Sequence, residues 1–102
     1  MKDLDRVLAQ LCAGEFDFSQ HAFRRAVERN ISDQEIIQAA ANAQLIEDYP
    51  EDKYAPSCLL FGCTLSGRPL HIQVSSIDLE RIRIITLYQP DESEWIDFTH
   101  RR

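Results

Sequence analysis

The stretch Ser57-Cys58-Leu59-Leu60-Phe61-Gly62-Cys63-Thr64-Leu65-Ser66-Gly67-Arg68-Pro69-Leu70-His71-Ile72-Gln73-Val74-Ser75 decides the fold. Ser57 to Leu65 is a near-continuous apolar run, the pattern of a central strand. Ser66-Gly67-Arg68-Pro69 carries turn chemistry and predicts a hairpin. Beyond it Leu70, Ile72 and Val74 alternate with His71, Gln73 and Ser75, the period of two that separates the faces of a strand. One face of that strand is core; the other presents His71.

Working outward, Arg81–Gln89 is β-branched and apolar and predicts a last strand, ended by Pro90 and preceded by a turn at Asp78–Glu80. Thr86 and Tyr88 share the parity of Ile82 and Ile84, so that face is expected to start apolar and end polar. Gln44–Tyr49 predicts a further strand, closed by Pro50 and a charged loop over 51–56. The first half of the chain reads as helical. Leu4, Val7, Leu8 and Leu11 form one stripe of a helix over 2–12, stopped at Gly14. Ser19 is the expected N-cap of a helix over 20–30, with Phe18 and Phe23 as its hydrophobic staple. Ala22, Phe23, Ala26 and Val27 are its expected apolar face. Ser32-Asp33-Gln34-Glu35 is a capping box that starts a third helix with Ile36, Ile37 and Ala40 buried. Asn30, between the two, suits a left-handed turn. The expected architecture is a single α+β domain over 1–102. Its N-terminal helices pack on a four-stranded antiparallel sheet, and an acidic tail follows over 91–102.

Composition bounds the function. The chain has 102 residues, 44% hydrophobic and 27% charged, with 11 Lys+Arg against 17 Asp+Glu and a net charge of −6. That excludes a strongly basic nucleic-acid-coating protein. No apolar run reaches the roughly 20 residues of a membrane-spanning helix. Three cysteines without paired spacing make no disulfide framework, and Met1-Lys2-Asp3-Leu4-Asp5 is no secretory signal, so a reduced, cytoplasmic setting is expected. The charge is uneven. Ser19 to Ile31 holds Arg24, Arg25 and Arg29 against Glu28, while Asp91, Glu92, Glu94 and Asp97 crowd the tail.

Two groups of residues could carry chemistry. Arg25 and Arg29 stand four apart, where like charges repel, and Arg24 and Arg25 lie in the early turns, where the helix dipole disfavours cations. A bound phosphate relieves both conflicts. So does solvation together with pairing of Glu28 to Arg24. His21 opens the same helix, and His71 lies on the non-core parity of its strand. If that helix lies over the sheet, the two imidazoles meet as an acid–base pair. Otherwise His71 is an exposed strand residue and His21 a helix-end hydrogen bonder. Tyr88 is placed either to stack on a base or to fill a strand as an ordinary aromatic. Cys58 and Cys63, five apart on one strand, point to opposite faces and share no metal.

Three stretches carry a family resemblance. Phe18 to Ser32, F-S-Q-H-A-F-R-R-A-V-E-R-N-I-S, resembles H-A-x-x-R-x-x-E-R-G-I-S. Gly62 to Val74, G-C-T-L-S-G-R-P-L-H-I-Q-V, resembles G-x-x-x-x-G-R-P-L-H-V-V. Ile84 to Pro90, I-I-T-L-Y-Q-P, resembles I-I-T-x-Y-x-P. Together, over residues 18–90, the chain resembles the bacterial family of domain of unknown function 4258. Asn30 stands where that pattern has Gly. The resemblance implies a fold similar to RelE-type toxins and the barnase-like ribonucleases, and a toxin–antitoxin role as a metal-independent endoribonuclease of the mRNA interferase type. It implies His21, Arg25, His71 and Tyr88 as catalytic residues, with Arg29 and Thr86 binding substrate; Arg83, outside the matching stretches, is a weaker candidate for holding the substrate phosphate. No metal or other cofactor is expected. The expected partners are an RNA substrate and a zinc-finger or helix-turn-helix antitoxin, with neither DNA nor a membrane bound directly. RelE-type toxins are basic and this chain is acidic, which favours the alternative of a non-catalytic interaction module with the same fold.

Overall fold

A computed structural model describes residues 4–53, 55–75 and 81–102. The elements run α1 (Leu4–Cys12), β1 (Phe16–Phe18), α2 (Gln20–Glu28), α3 (Asp33–Ala40), β2 (Gln44–Tyr49), β3 (Ser57–Cys63), β4 (Pro69–Ser75), β5 (Ile82–Tyr88), β6 (Trp95–Ile96) and β7 (His100–Arg101). The turn expected at Asp78–Glu80 lies outside the described residues. Among the described residues, no helix is long and apolar enough to cross a membrane.

The α+β class and the three helices hold, but the sheet is not four-stranded and antiparallel. It has five strands in the order β1-β5-β4-β3-β2, and β1 pairs with β5 in parallel, Phe16 opposite Ile82 and Phe18 opposite Ile84. Three residues are too few to show a period, so Phe16-Asp17-Phe18 reads as a connection until its partner is known. The other pairings are antiparallel, with Leu60 opposite Ile72 and Ile72 opposite Leu87.

All three helices lie over one face of this sheet. The core joins Val7, Leu11, Ala22, Ala26, Ile36 and Ala39 to Leu60, Leu70, Ile72, Ile84 and Leu87, each within 5% of full burial. Burial of a large aliphatic side chain of this kind contributes about 1.5–3 kcal/mol. Helix and sheet approach each other closely at Gly62. A Cβ there would stand 2.1 Å from the Ala39 carbonyl oxygen, so α3 rests directly on the backbone of β3.

The caps form as the sequence dictates. Ser19 Oγ accepts from the Ala22 amide. Ser32 and Glu35 exchange both bonds of the capping box. The Phe18 and Phe23 rings meet edge-on with centroids 6.1 Å apart. Asn30 takes φ 54°. The expected apolar face of α2 is narrower than the periodicity implies. Ala22 and Ala26 are buried, but Phe23 and Val27 are 60% and 66% exposed, because β1 and β5 reach only the alanine stripe.

Two bulges determine what the other face of the sheet carries. In β5 the register shifts at Ile85, so that Ile84 opposes Val74 while Thr86 opposes Gln73 and Tyr88 opposes His71. The extra residue reverses the alternation. Leu87 takes the core side, and Thr86 and Tyr88 move to the face away from the helices, against the parity expected for them. In β2 the shift falls between Leu45 and Glu47, which puts Glu47 opposite Leu59 and Tyr49 opposite Ser57. Glu47, Tyr49, Phe61, His71, Thr86 and Tyr88 therefore share the helix-free face.

Candidate active site

His71 lies at the centre of that face and is fully buried. Segment 91–102 covers it. The segment leaves β5 at Pro90, folds as the small β6–β7 hairpin, and lays Trp95 edge-on to the imidazole with centroids 4.4 Å apart. Phe61 and Tyr88 complete the ring contacts at 5.8 and 5.2 Å.

Both ring nitrogens are engaged. Nε2 is 2.6 Å from the Phe98 carbonyl oxygen and Nδ1 is 3.2 Å from the Tyr88 hydroxyl. A carbonyl only accepts, so Nε2 carries the hydrogen and donates it. Nδ1 then accepts from the Tyr88 O–H. Burial holds the imidazole below its ordinary pKa; the Phe98 carbonyl and the Glu47 charge pull partly the other way. His71 is thus neutral, in one tautomer, at neutral pH.

Glu47 is the charged group on this face. Arg101 grips its carboxylate with Nε at 2.8 Å and Nη2 at 3.0 Å, and Tyr49 donates its hydroxyl to the same carboxylate. Arg101 keeps Glu47 below the usual carboxylate range, against a smaller push from burial. The guanidinium also lies over Trp95, its Cζ 4.7 Å from the ring centroid. Burial raises both tyrosines, and at Tyr49 the Glu47 hydrogen bond adds to it.

At the end of β5 the face opens into a hollow of about 550 Å³ between Arg29, Arg68, Tyr88, Asp91 and Glu94. Arg29 reaches it from the C-terminal end of α2, donating from Nη1 to the Leu87 carbonyl at 2.8 Å. Arg68 is a clamp. It donates to the carbonyls of Arg29 and Asn30, to both oxygens of Glu35 and to Gln89, tying the α2–α3 turn to the β3–β4 turn and the end of β5.

Of the residues singled out in the sequence, His71, Tyr88 and Arg29 come together, with Thr86 beside them on β5 opposite Gln73. His21 and Arg25 do not join them. α2 packs on the helix side of β5, His21 is exposed there, and Arg25 pairs with Glu28 at 2.8 Å. In the alternative to phosphate binding Glu28 pairs with Arg24; its partner in the structure is Arg25. Arg83 is exposed near the far end of β5, opposite Ser75. No cleft forms between the arginine side of α2 and the imidazole side of β4, and His21 does not meet His71, because helix and imidazole lie on opposite faces of one sheet.

Sequence reasoning missed Glu47, Tyr49, Trp95, Phe98 and Arg101. The end of β2 before Pro50 is visibly acidic, but only the bulge settles which of Glu47, Asp48 and Tyr49 share the face of His71. Trp95 and Phe98 mark the tail as a segment that packs back, but not onto what; Trp95 is 2% exposed.

The fold and this face define a small α+β domain with a buried His–Tyr pair beside a carboxylate on the helix-free side of a mixed sheet. The sequence model of a domain of unknown function, DUF4258, matches residues 18–89, and the chain belongs to that family. The match runs from the last residue of β1 to just beyond β5, so α1 and the segment over His71 lie outside it. No curated protein matches the chain, and no solved structure does.

Proposed function

We propose that the domain is a metal-independent endoribonuclease of the RelE-like toxin type, working in the cytoplasm opposite a small antitoxin, and that its chemistry belongs to the face carrying Glu47 and His71 rather than to α2. The observation that carries this reading is the presence on one face of a carboxylate and an imidazole, each bonded to a tyrosine hydroxyl, with the Phe61 ring against the imidazole. RNA cleavage without metal needs a base for the 2′-OH, an acid for the leaving oxygen and a cation for the phosphoryl oxygens. Glu47 takes the 2′-hydroxyl proton. The 2′-oxygen attacks phosphorus, the bond to the 5′-oxygen breaks, and His71, which must first leave the Phe98 carbonyl and take up a proton from water, delivers that proton to the oxygen. The products are a 2′,3′-cyclic phosphate and a 5′-hydroxyl. Arg29, in the hollow beside Tyr88, holds the phosphoryl oxygens. Phe61 and Tyr88 offer faces on which bases stack.

The test is cleavage of single-stranded RNA in EDTA by the purified chain and by an Arg101→Ala variant. The expected result is cutting that disappears in folded His71→Gln and Glu47→Gln variants and on 2′-deoxy substrates. RNA left intact by both proteins, or cleavage that requires a divalent cation, overturns the reading.

The net charge of −6 and the full engagement of His71 favour a second reading, a non-catalytic module that binds a basic partner protein. Under it, induced expression is harmless and His71→Gln changes nothing in growth. Under the first, expression arrests growth and His71→Gln relieves the arrest.

A further inference from the structure

We infer that segment 91–102 is an intramolecular mimic of the RNA substrate, closing the site by offering the arginines and His71 counterparts that a nucleic-acid strand would offer and by capping Glu47 with Arg101. The inference rests on the ribonuclease reading for the identity of what is mimicked. The closure itself rests on contacts alone.

The correspondence runs along the segment. Asp91 and Glu94 bring carboxylates into the hollow that holds Arg29 and Arg68, where a strand would bring phosphates. Trp95 packs its indole edge-on to His71 and is buried there, as a base would be among Phe61, His71 and Tyr88. The Phe98 carbonyl accepts from His71 Nε2, the contact a leaving oxygen would make. Arg101 neutralises Glu47 and occupies the carboxylate that would take the 2′-OH proton. Four acids against Arg101 and Arg102 leave the segment at −2 over twelve residues, against −4 over the other ninety.

The turn of the hairpin is built for this aim. Asp97 and Phe98 take φ 52° and 61° in succession, the conformation a tight hairpin asks for and for which Asn-Gly is the favoured pair. A bulky Phe in that region is strained, and the strained peptide directs its carbonyl at the imidazole while its ring lies 5.9 Å from Phe61. Closure also detunes the chemistry. Under the segment His71 is neutral and Glu47 is held by Arg101, so neither is ready to exchange a proton. Opening returns water to one and removes the cation from the other.

The experiment uses the full chain with Arg101→Ala, Glu94→Gln and, as a charge control outside the Arg29 hollow, Glu92→Gln. Amide exchange reads the closure, and binding of an uncleavable 2′-O-methyl single-stranded oligonucleotide reads the mimicry. Arg101→Ala is expected to speed exchange of the Thr99 and Arg102 amides at least tenfold while the β3 and β4 amides keep wild-type protection. Arg101→Ala and Glu94→Gln are each expected to tighten the oligonucleotide at least tenfold, and Glu92→Gln to change it less than twofold. Segment amides that exchange only with global unfolding in every variant overturn the closure. Equal affinity in wild type and Arg101→Ala, or equal tightening by Glu92→Gln and Glu94→Gln, overturns the mimicry. A segment that opens and an oligonucleotide that binds, with cleavable RNA still intact, leaves the mimicry standing and removes the ribonuclease reading.

Discussion

His71 donates its Nε2 hydrogen to the carbonyl of Phe98 at 2.6 Å, so a side chain of β4 is held by the backbone of the segment that follows β5. The imidazole is thereby neutral, buried and locked in one tautomer. Its chemistry depends on whether that segment stays in place.

Acid should loosen the fold through this residue. The folded pKa of His71 is held below its ordinary value of 6.5 by burial. Above pH 6.5 both folded and unfolded His71 are neutral, and its contribution to stability is complete. As pH falls below 6.5 the unfolded chain takes up the proton first, so stability declines until pH passes the folded pKa. Glu47 also has a lowered pKa, so its contribution is lost below its ordinary 4.5, at lower pH than the His71 effect sets in. Urea unfolding at pH 7.5 and 5.5 is expected to show wild type weakening more than His71→Gln. Equal slopes would remove His71 as the cause.

Arg68→Ala is expected to cost about 2–3 kcal/mol, because charge-assisted bonds to two carbonyls and to Glu35 are lost together. Lysine should restore less than half of this, since a single ammonium cannot reach backbone, carboxylate and Gln89 at once. Denaturant midpoints measure both.

Gly62→Ala is expected to cost about 3 kcal/mol or to prevent folding, since its methyl carbon would stand 2.1 Å from the Ala39 carbonyl oxygen. That oxygen is backbone and has no rotamer to escape into, so α3 must lift off β3. Thermal unfolding of the variant should show the loss with no compensation from the better strand propensity of alanine.

Asn30→Gly should be neutral or stabilising and Asn30→Ala should cost about 1 kcal/mol, because the residue sits at φ 54° between α2 and α3. A loss of stability in the glycine variant larger than in the alanine variant would show that the Asn side chain, not its backbone, is what the turn needs.

Much of the fold is legible in the residues because the forces that set it are local. Ser19 and Ser32 cap their helices through bonds spanning three residues. The Gly67 turn and the alternation of Leu70, Ile72 and Val74 produce the β3–β4 hairpin from one contiguous stretch. His71 and Tyr88 stood out as residue types, and they do meet. What escaped are features whose cause lies elsewhere in the chain. β1 is a strand only because β5 offers it a parallel edge. Thr86 and Tyr88 face away from the helices only because Ile85 is bulged, and one inserted residue reverses every later side chain.

The helix starts, the central hairpin, the α+β class and the family can be read from the residues, since each depends on neighbours within a few positions or on a recognisable string. That α2 and His71 lie on opposite faces of the sheet, that Glu47 shares the face of the imidazole, and that residues 91–102 cover it emerge from the folded chain alone. Side-chain direction in a strand is set by register against a distant partner, and the burial of His71 under Trp95 and Phe98 is set by chain packing, neither of which leaves a periodic mark in the residues themselves.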